Sequence, residues 1–93
     1  MTNEPAKRRH FTTSSFWKEF EKLPEDVKQL ALKNYELLNN DALHPSLQFK
    51  KVGKLWSARV GARHRALATE SRDGFLWIWI GLHNEYVRVI KNS

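Results

Sequence analysis

The segment FLWIWIGLHNEY, Phe75 to Tyr86, places an imidazole and a phenol directly after the most hydrophobic run of the chain. An imidazole can both donate and accept a proton near neutral pH, so His83 is a candidate general acid or base. A residue at a strand end is held by a rigid element and remains accessible to substrate, which favours this function. The alternative is a structural histidine, the more common case for a lone imidazole.

Two arginines supply candidate positive charge near a predicted hairpin. If Gly61, Ala62 and Arg63 form a three-residue loop, Arg59 lies directly opposite Arg65 on the next strand. Like charges in that arrangement repel each other unless an anion lies between them. A phosphate would fit between the two arginines, because one guanidinium group can donate two hydrogen bonds to the oxygens of a phosphate. The alternative is that both side chains extend into water.

The positive charge is concentrated in the second part of the chain. The 93 residues carry a net charge of +6; residues 1–40 contain seven Lys/Arg and six Asp/Glu, and residues 41–93 contain nine and four. One basic cluster, without a carboxylate, consists of Lys50, Lys51, Lys54, Arg59, Arg63 and Arg65. Such a cluster favours binding of a polyanion, RNA or DNA. The alternatives are a solubilising surface and an acidic protein partner.

Length and composition narrow the class of protein. Residues 1–9 are polar and are predicted to form a flexible tail, and residues 10–93 are predicted to form a single domain. The absence of cysteine excludes disulfides and thiolate metal sites, and the four histidines lack metal-binding spacing, so we expect no metal and no cofactor. No segment has the length of a membrane span or the pattern of a secretory signal, which predicts a cytoplasmic protein.

Two periodicities predict the fold. Helical spacing of apolar residues predicts one helix within HFTTSSFWKEFEKL and a second within LPEDVKQLALKNYELLNN. From Leu47 onward, alternation with period two predicts four strands: LQFKKV, LWSARV, HRALATE and FLWIWIGL. The order predicts an α+β fold, with two N-terminal helices on one face of a small, mostly antiparallel sheet of four to five strands.

The last predicted strand is apolar on both sides, which is typical of a central strand. Strict alternation assigns one side to Phe75, Trp77 and Trp79 and the other to Leu76, Ile78 and Ile80. The tryptophans are interpreted as core residues that pack against a C-terminal segment, in preference to surfaces for base stacking.

Four segments carry a resemblance to a known family: LPEDVKQLALKNYELL, HPSLQFKKV, WSARVGARHRAL and WIWIGLHNEYVRVI. In this order they resemble the RelE/ParE toxin superfamily, and within it the RelE- and HigB-like branches, over about residues 10 to 91. The resemblance implies the toxin of a type II toxin–antitoxin system, a metal-independent endoribonuclease that cleaves messenger RNA, usually on the ribosome. Its partner would be a cognate antitoxin protein, and no cofactor is implied.

The resemblance also implies functions for individual residues. The 2′-hydroxyl of the RNA would attack the adjacent phosphate, with His83 transferring protons and Arg59 and Arg65 stabilising the phosphorane. Which group is the general base and which the general acid stays open. The implied substrate-binding residues are Lys51, Lys54, Arg63, His64 and Tyr86.

Two other functions are compatible with the same resemblance. The ParE branch shares the scaffold but inhibits DNA gyrase, and an inactive relative would bind only antitoxin or RNA. His83 favours the ribonuclease, because the ParE branch lacks this histidine arrangement.

Overall fold

The computed structural model describes residues 8–92, which form a five-stranded sheet with helices on both faces. The elements in chain order are β1 (Arg9–Thr12), α1 (Ser14–Phe20), α2 (Glu25–Asn40), β2 (Lys50–Val52), β3 (Leu55–Val60), β4 (His64–Ser71), β5 (Gly74–Leu82) and α3 (His83–Lys91). The strand order is β1-β5-β4-β3-β2; β1 is parallel to β5 and the other neighbours are antiparallel. The predicted α+β class and the mostly antiparallel sheet are confirmed.

The two N-terminal helices cover one face of the sheet, as predicted. Thr13 caps α1, because its hydroxyl accepts a hydrogen bond from the backbone N–H of Phe16. Glu25 and Asp26 lie in the first turn of α2, where carboxylates complement the helix dipole. The core of this side, the α2 face, is formed by Phe16, Phe20, Ala31, Leu38, Ala42, Leu47, Ala58, Val60, Ala66, Ala68, Phe75, Trp77 and Ile80.

A third helix, α3, covers the opposite face and was not predicted. Its VRVI run is β-branched, which favours strand, but α3 begins where β5 ends and turns back over the sheet. The smaller core of this side, the α3 face, consists of Leu55, Leu67 and Tyr86, with Ile78, Trp79, Val89 and Ile90 packed against them. The C-terminal segment therefore buries the second apolar side of β5.

A β-bulge in β5 changes which side chains face which core. Leu67 lies opposite Trp79 and Ala68 lies opposite Trp77, so Ile78 has no partner on β4. One extra residue shifts the alternation by one position. The assignment by strict alternation was therefore wrong beyond the bulge: Ile80 joins Trp77 on the α2 face, and Trp79 packs on the α3 face. Both tryptophans pack in cores, as predicted, but only Trp79 packs against the C-terminal segment.

The start of the described chain is tied to the sheet. Residues 1–7 of the predicted tail lie outside the described residues, but Arg9 begins β1 and Arg8 forms an ion pair of 2.6 Å with Glu70. Arg8 also donates to the carbonyl of Ser71. These contacts connect β1 to the turn between β4 and β5. Among residues 8–92, no helix has the length and hydrophobicity that a membrane span requires.

His10 is buried in an aromatic environment on the α2 face. Its side chain is 8% exposed and stacks on Phe75 at 5.3 Å between ring centroids. Trp77 Nε1 donates to His10 Nδ1 at 3.0 Å, while His10 Nε2 is buried and has no hydrogen-bond partner among the residues that the structure describes. Burial lowers the pKa of His10 to about 4, because the aromatic surroundings disfavour the imidazolium.

Candidate functional site

The β3–β4 hairpin has the geometry that the sequence predicts. Val60 lies opposite His64 and Arg59 lies opposite Arg65, so residues 61–63 form a three-residue loop. Gly61 has a φ of +67°, a left-handed conformation that glycine adopts without strain. A positive φ in a three-residue hairpin loop is common and fixes the register of the strands.

This loop is joined to the start of α3 by a backbone hydrogen bond. The N–H of His83 donates to the carbonyl of Arg63 at 2.8 Å. Leu82 stands at the N-cap position of α3, and its side chain makes no capping hydrogen bond. The hairpin carbonyl therefore satisfies one of the N–H groups that a helix start leaves unpaired. His83 is thus positioned by two elements, the end of β5 and the loop between β3 and β4.

An open cleft lies where the loop meets α3. Its lining residues are Ala62, Arg63, Arg65, Leu82, His83 and Asn84. The cleft contains two arginines, and neither has a carboxylate partner among residues 8–92. Arg65 is half-buried and donates to the carbonyl of His64 at 3.0 Å, whereas Arg63 is exposed. Two unneutralised guanidinium groups beside an exposed imidazole make the cleft suitable for an anion such as a phosphodiester.

The imidazole of His83 rests on a buried support. His83 is exposed, and its ring stacks on Tyr86 with 5.2 Å between centroids and 28° between planes. Tyr86 is 8% exposed and packs with Leu55 and Leu67 in the core of the α3 face. The low exposure of Tyr86 favours support of His83 over direct stacking on a substrate base. The site thus combines an accessible imidazole ring with a buried tyrosine that holds the ring in place.

Trp79 and Gly81 form a second close contact near the cleft. A Cβ atom at Gly81 would lie 2.5 Å from Cζ2 of Trp79, so the indole occupies the space of the missing side chain. Gly81 lies opposite Arg65 in the sheet. The glycine therefore leaves room for the indole beside the strand position that lies opposite Arg65.

Arg59 is adjacent to Arg65 in the sheet but borders a different groove. Its Nε donates to the carbonyl of Gly61 at 2.9 Å, and its own carbonyl accepts from Asn34 of α2. Together with residues of α2, Arg59 lines a groove on the other side of the hairpin loop, and it is absent from the lining of the His83 cleft. The cleft is lined by His83, Arg63 and Arg65, whereas Arg59, although it lies opposite Arg65 in the sheet, does not line it.

His64 also lies apart from the cleft. It pairs with Val60, which belongs to the core of the α2 face, so its side chain is on the side opposite to Arg65. Burial lowers the pKa of His64, the nearby charge of Arg63 lowers it further, and Asp26 on α2 opposes both effects. This position favours a contact with α2 over contact with a ligand in the cleft.

Lys51 and Lys54 are distant from His83. Lys51 lies opposite Trp56, on the α2 face, and is near enough to Glu70 to contribute to its lowered pKa. The larger causes of that lowered pKa are hydrogen bonds from Arg8 and Trp56. Lys54 is in the turn that precedes β3, about 20 Å from the far end of that strand at 3.3 Å per residue.

Two residues near the site were not among the site residues predicted from the sequence. Lys50 lies opposite Ser57, so it shares the α3 face with Arg59, diagonally at a Cα distance of about 7–8 Å. Pairing of Val52 with Leu55 across the two-residue turn at Gly53 and Lys54 would have selected Lys50 over Lys51. Asn84 lines the cleft because α3 begins at His83, which the sequence pattern did not indicate.

Comparison with known proteins gives structural likeness without sequence matches. No family model matches the chain, and no curated protein matches it. The RelB–RelE antitoxin–toxin complex from Methanococcus jannaschii is similar, with a TM-score of 0.63 and 18% identity over 85% of this chain and 96% of that chain. The RelBE2 toxin–antitoxin complex from Mycobacterium tuberculosis gives a TM-score of 0.61 and 14% identity, over 82% of this chain and 98% of that chain.

Two further solved structures extend the comparison. The YoeB–YefM complex from Staphylococcus aureus has a TM-score of 0.58 and 13% identity, over 84% of this chain and 99% of that chain. The isolated RelE toxin from E. coli has a TM-score of 0.53 and 16% identity, over 91% of this chain and 97% of that chain. The chain therefore has the RelE-like fold that the sequence predicted.

Proposed function

We propose that this RelE-like chain is the toxin of a type II toxin–antitoxin pair and an endoribonuclease that cleaves messenger RNA in the His83 cleft. The observation that carries the proposal is the cleft itself, where an exposed imidazole lies beside two arginines that have no carboxylate partner within residues 8–92. RelE-type toxins and their complexes with antitoxins share the fold, which supports the toxin assignment. Messenger RNA, on the ribosome and in the cytoplasm, is the proposed substrate.

The reaction is an attack by the 2′-oxygen on the adjacent phosphorus. The P–O2′ bond forms and the P–O5′ bond breaks, which leaves a 2′,3′-cyclic phosphate and a 5′-hydroxyl. The base takes the proton of the 2′-hydroxyl, and the acid gives one to the departing 5′-oxygen. His83 is positioned to perform one of these transfers, since a histidine can exchange protons near neutral pH.

Arg65 and Arg63 stabilise the phosphorane in this proposal. The additional negative charge develops on the non-bridging oxygens, and positioned cations stabilise it without reorganisation. Arg65 is half-buried and held by the carbonyl of His64, so it is better fixed than the exposed Arg63. Arg59 and the lysines of the β2 side contribute electrostatic attraction from outside the cleft.

Messages recovered from cell-free translation with the purified chain test this function. We expect cleaved messages with cyclic phosphate and 5′-hydroxyl ends, and no cleavage where the nucleotide before the scissile phosphate is 2′-deoxy. DNA supercoiling by gyrase should be unchanged. Intact messages together with inhibited gyrase would instead assign the chain to the gyrase-inhibiting type. Intact messages with unaffected gyrase would leave only binding of antitoxin or RNA.

A further inference from the structure

The cleft at the start of α3 contains two side chains that the proposed reaction does not use, Leu82 and Asn84. Both line the cleft and both are exposed, Leu82 to 46%. The side chain of Asn84 makes no hydrogen bond to another of residues 8–92. An exposed apolar side chain and an amide that is available for hydrogen bonding therefore stand directly before and after His83 in the chain.

The types of these two residues are the reverse of what the start of a helix favours. Position 82 is the N-cap of α3, where asparagine and serine are preferred because their side chains accept hydrogen bonds from unpaired N–H groups. The chain has leucine there and places its asparagine inside the first turn, where asparagine stabilises a helix poorly. Residues that break a local rule without a structural gain are expected at functional sites. A ligand in the cleft explains Leu82 and Asn84 better than the stability of α3 does.

The two side chains supply what a nucleobase requires and the arginines lack. Leu82 and Ala62 give the cleft an apolar surface against which a flat ring can pack. Guanidinium groups only donate hydrogen bonds, whereas an asparagine amide both donates and accepts. Adenine matches an amide on two edges, because its N6 amino group donates and the ring nitrogens on either side, N1 and N7, accept. Guanine has two acceptors on its N7 edge, and the pyrimidines have one such edge and a smaller ring.

The spacing in the sheet suits a base that is attached to the phosphate at Arg65. Gly81 lies opposite Arg65, and Leu82 is the next residue along β5. Neighbouring strands lie about 4.8 Å apart and residues rise about 3.3 Å, so the Cα atoms of Arg65 and Leu82 are about 6 Å apart. Both side chains reach the same cleft. A phosphate at Arg65 therefore leaves room for the base of an adjoining nucleotide over Leu82.

We infer that the cleft binds an adenine base next to the reacting phosphodiester, with Leu82 against the ring and Asn84 at its edge. The amide oxygen of Asn84 accepts from the N6 amino group, and the amide nitrogen donates to N7 or N1. Arg63 and Arg65 bind the phosphate in the proposed reaction, so they do not select guanine through its N7 and O6. The inference rests on the proposed function and adds to it a preference for adenine beside the cleavage site.

The test is binding of 2′-O-methylated dinucleotides to the ¹⁵N-labelled chain, followed by NMR. The blocked 2′-oxygen prevents cleavage, so binding is measured whether or not the chain cuts RNA. We expect the adenine dinucleotide to bind most tightly, at least about fivefold more tightly than the guanine dinucleotide, as one bidentate contact allows. The side-chain amide signals of Asn84 should shift as the adenine dinucleotide binds.

Two variants and a modified base locate the contact at Asn84. Asn84→Leu is similar in size but forms no hydrogen bonds, so it should remove the preference for adenine. A dinucleotide with unsubstituted purine, which lacks the N6 amino group, should bind the native chain more weakly than adenine does and bind Asn84→Leu equally well. Such coupling between one side chain and one group of the base identifies a direct contact. Asn40→Leu, the same change at an exposed position of α2, is the matched control and should keep the native preference.

Leu82→Ser tests the apolar surface separately. The serine hydroxyl can cap α3, so the variant should be about as stable as the native chain in urea denaturation. Without the leucine, all four dinucleotides should bind more weakly, and the preference for adenine should remain. Native affinity in Leu82→Ser would exclude the leucine from the base site.

Other results would also overturn the inference. Equal binding of the four dinucleotides, or binding of none, would show that the cleft does not recognise a base, and tighter binding of guanine would assign the contact to Arg63. An adenine preference that persists in Asn84→Leu would exclude the asparagine. Failure of the proposed function gives a different result. A chain that selects adenine but leaves messages intact would contradict the nuclease, whereas cleavage of messages without any base preference would contradict only this inference.

Discussion

At the scale of single residues, the site depends on contacts that hold exposed groups in place. His83 is accessible, yet its ring stacks on a tyrosine that is buried in the core of the α3 face. Arg65 is held by a backbone carbonyl, and no carboxylate of the described part of the chain pairs with it, so its charge stays available to an anion. Fixed rings and unneutralised cations are what proton transfer and charge stabilisation require.

Gly81→Ala should destabilise the fold because the Trp79 indole occupies the place of the added methyl. Overpacking of this kind costs about 1–3 kcal/mol, measured as the free energy of unfolding in urea. The control is a double-mutant cycle with Trp79→Val, which removes the indole. In that background the alanine should cost less, since the two residues are coupled. An equal loss of stability in both backgrounds would show that the contact with Trp79 is not the reason why position 81 requires glycine.

His10 should make the fold sensitive to acid. The folded-state pKa is lowered to about 4, so the unfolded chain, with a pKa near 6.5, binds the proton more readily. The contribution of neutral His10 to the free energy of unfolding is complete above about pH 6.5 and is lost as the pH falls toward 4. Between pH 7 and pH 5 the free energy of unfolding should fall by about 2 kcal/mol from this group.

Urea denaturation of His10→Phe at the same two pH values checks this assignment. The phenylalanine leaves Trp77 Nε1 without its acceptor, so the variant is less stable at pH 7, but it has no imidazole to titrate. His64, whose pKa is also lowered, still contributes a smaller dependence of the same sign. An unchanged loss of stability between pH 7 and pH 5 would exclude His10 as the main source.

At the scale of elements, α3 is both a cover for the sheet and the carrier of the catalytic candidate. Its inner side buries the apolar residues on the second side of β5, and its first residue is His83. The backbone bond to the β3–β4 loop fixes the point at which the helix starts. Packing of α3 and the geometry of the cleft are therefore linked.

Substitution of Tyr86 tests that link. Tyr86→Ala should lower the free energy of unfolding by about 3 kcal/mol, because it leaves a cavity beside Leu55 and Leu67. Tyr86→Phe keeps the ring and should retain both stability and RNA cleavage. Val87→Ala is the control on the exposed side of the same helix and should be nearly neutral. Loss of cleavage in a stable Tyr86→Phe variant would show that the hydroxyl acts on the substrate.

At the scale of the whole molecule, the basic residues divide into separate regions. Arg63 and Arg65 line the cleft with His83, whereas Lys51 and Lys54 lie toward the opposite end of the sheet. Charges this far from the reacting phosphate can bind other phosphates of a polyanion without contacting the one that reacts. Binding and chemistry should therefore depend on different residues of the basic cluster.

The double variant Lys51→Ala/Lys54→Ala should weaken RNA binding and leave the chemical step intact. If both lysines contact phosphates, the salt slope of binding should decrease by about 1.4, since each contact to a single strand contributes about 0.7. The rate of single-turnover cleavage at saturating protein should stay at the native value. Lys18→Ala/Lys22→Ala, at exposed lysines of α1 and of the turn that follows it, is the matched control. A fall in the saturated rate would place these lysines in the chemistry.

The sequence predicted the fold and the hairpin because each followed from a local pattern. The three-residue loop ending at Arg63 defined the register, and that register placed Arg59 opposite Arg65 as expected. The bulge at Ile78 left no signal in an apolar run, so the faces beyond it were assigned wrongly. Arg59 and Lys51 do not line the cleft because of the directions of their side chains and the order of the strands in the sheet. The alternation of residues within one strand predicts neither property.

The central claim is that His83 transfers a proton in RNA cleavage, and single-turnover cleavage of a message by His83→Ala tests it most directly. The reaction is run on ribosomes if free RNA is not cut, and circular dichroism verifies the fold. We expect a rate about 10²–10⁴-fold below native, the usual effect of losing an acid–base group. His44→Ala, a histidine outside the cleft, should cleave at the native rate. A folded His83→Ala variant that cleaves as fast as the native chain would show that His83 does not transfer a proton in RNA cleavage.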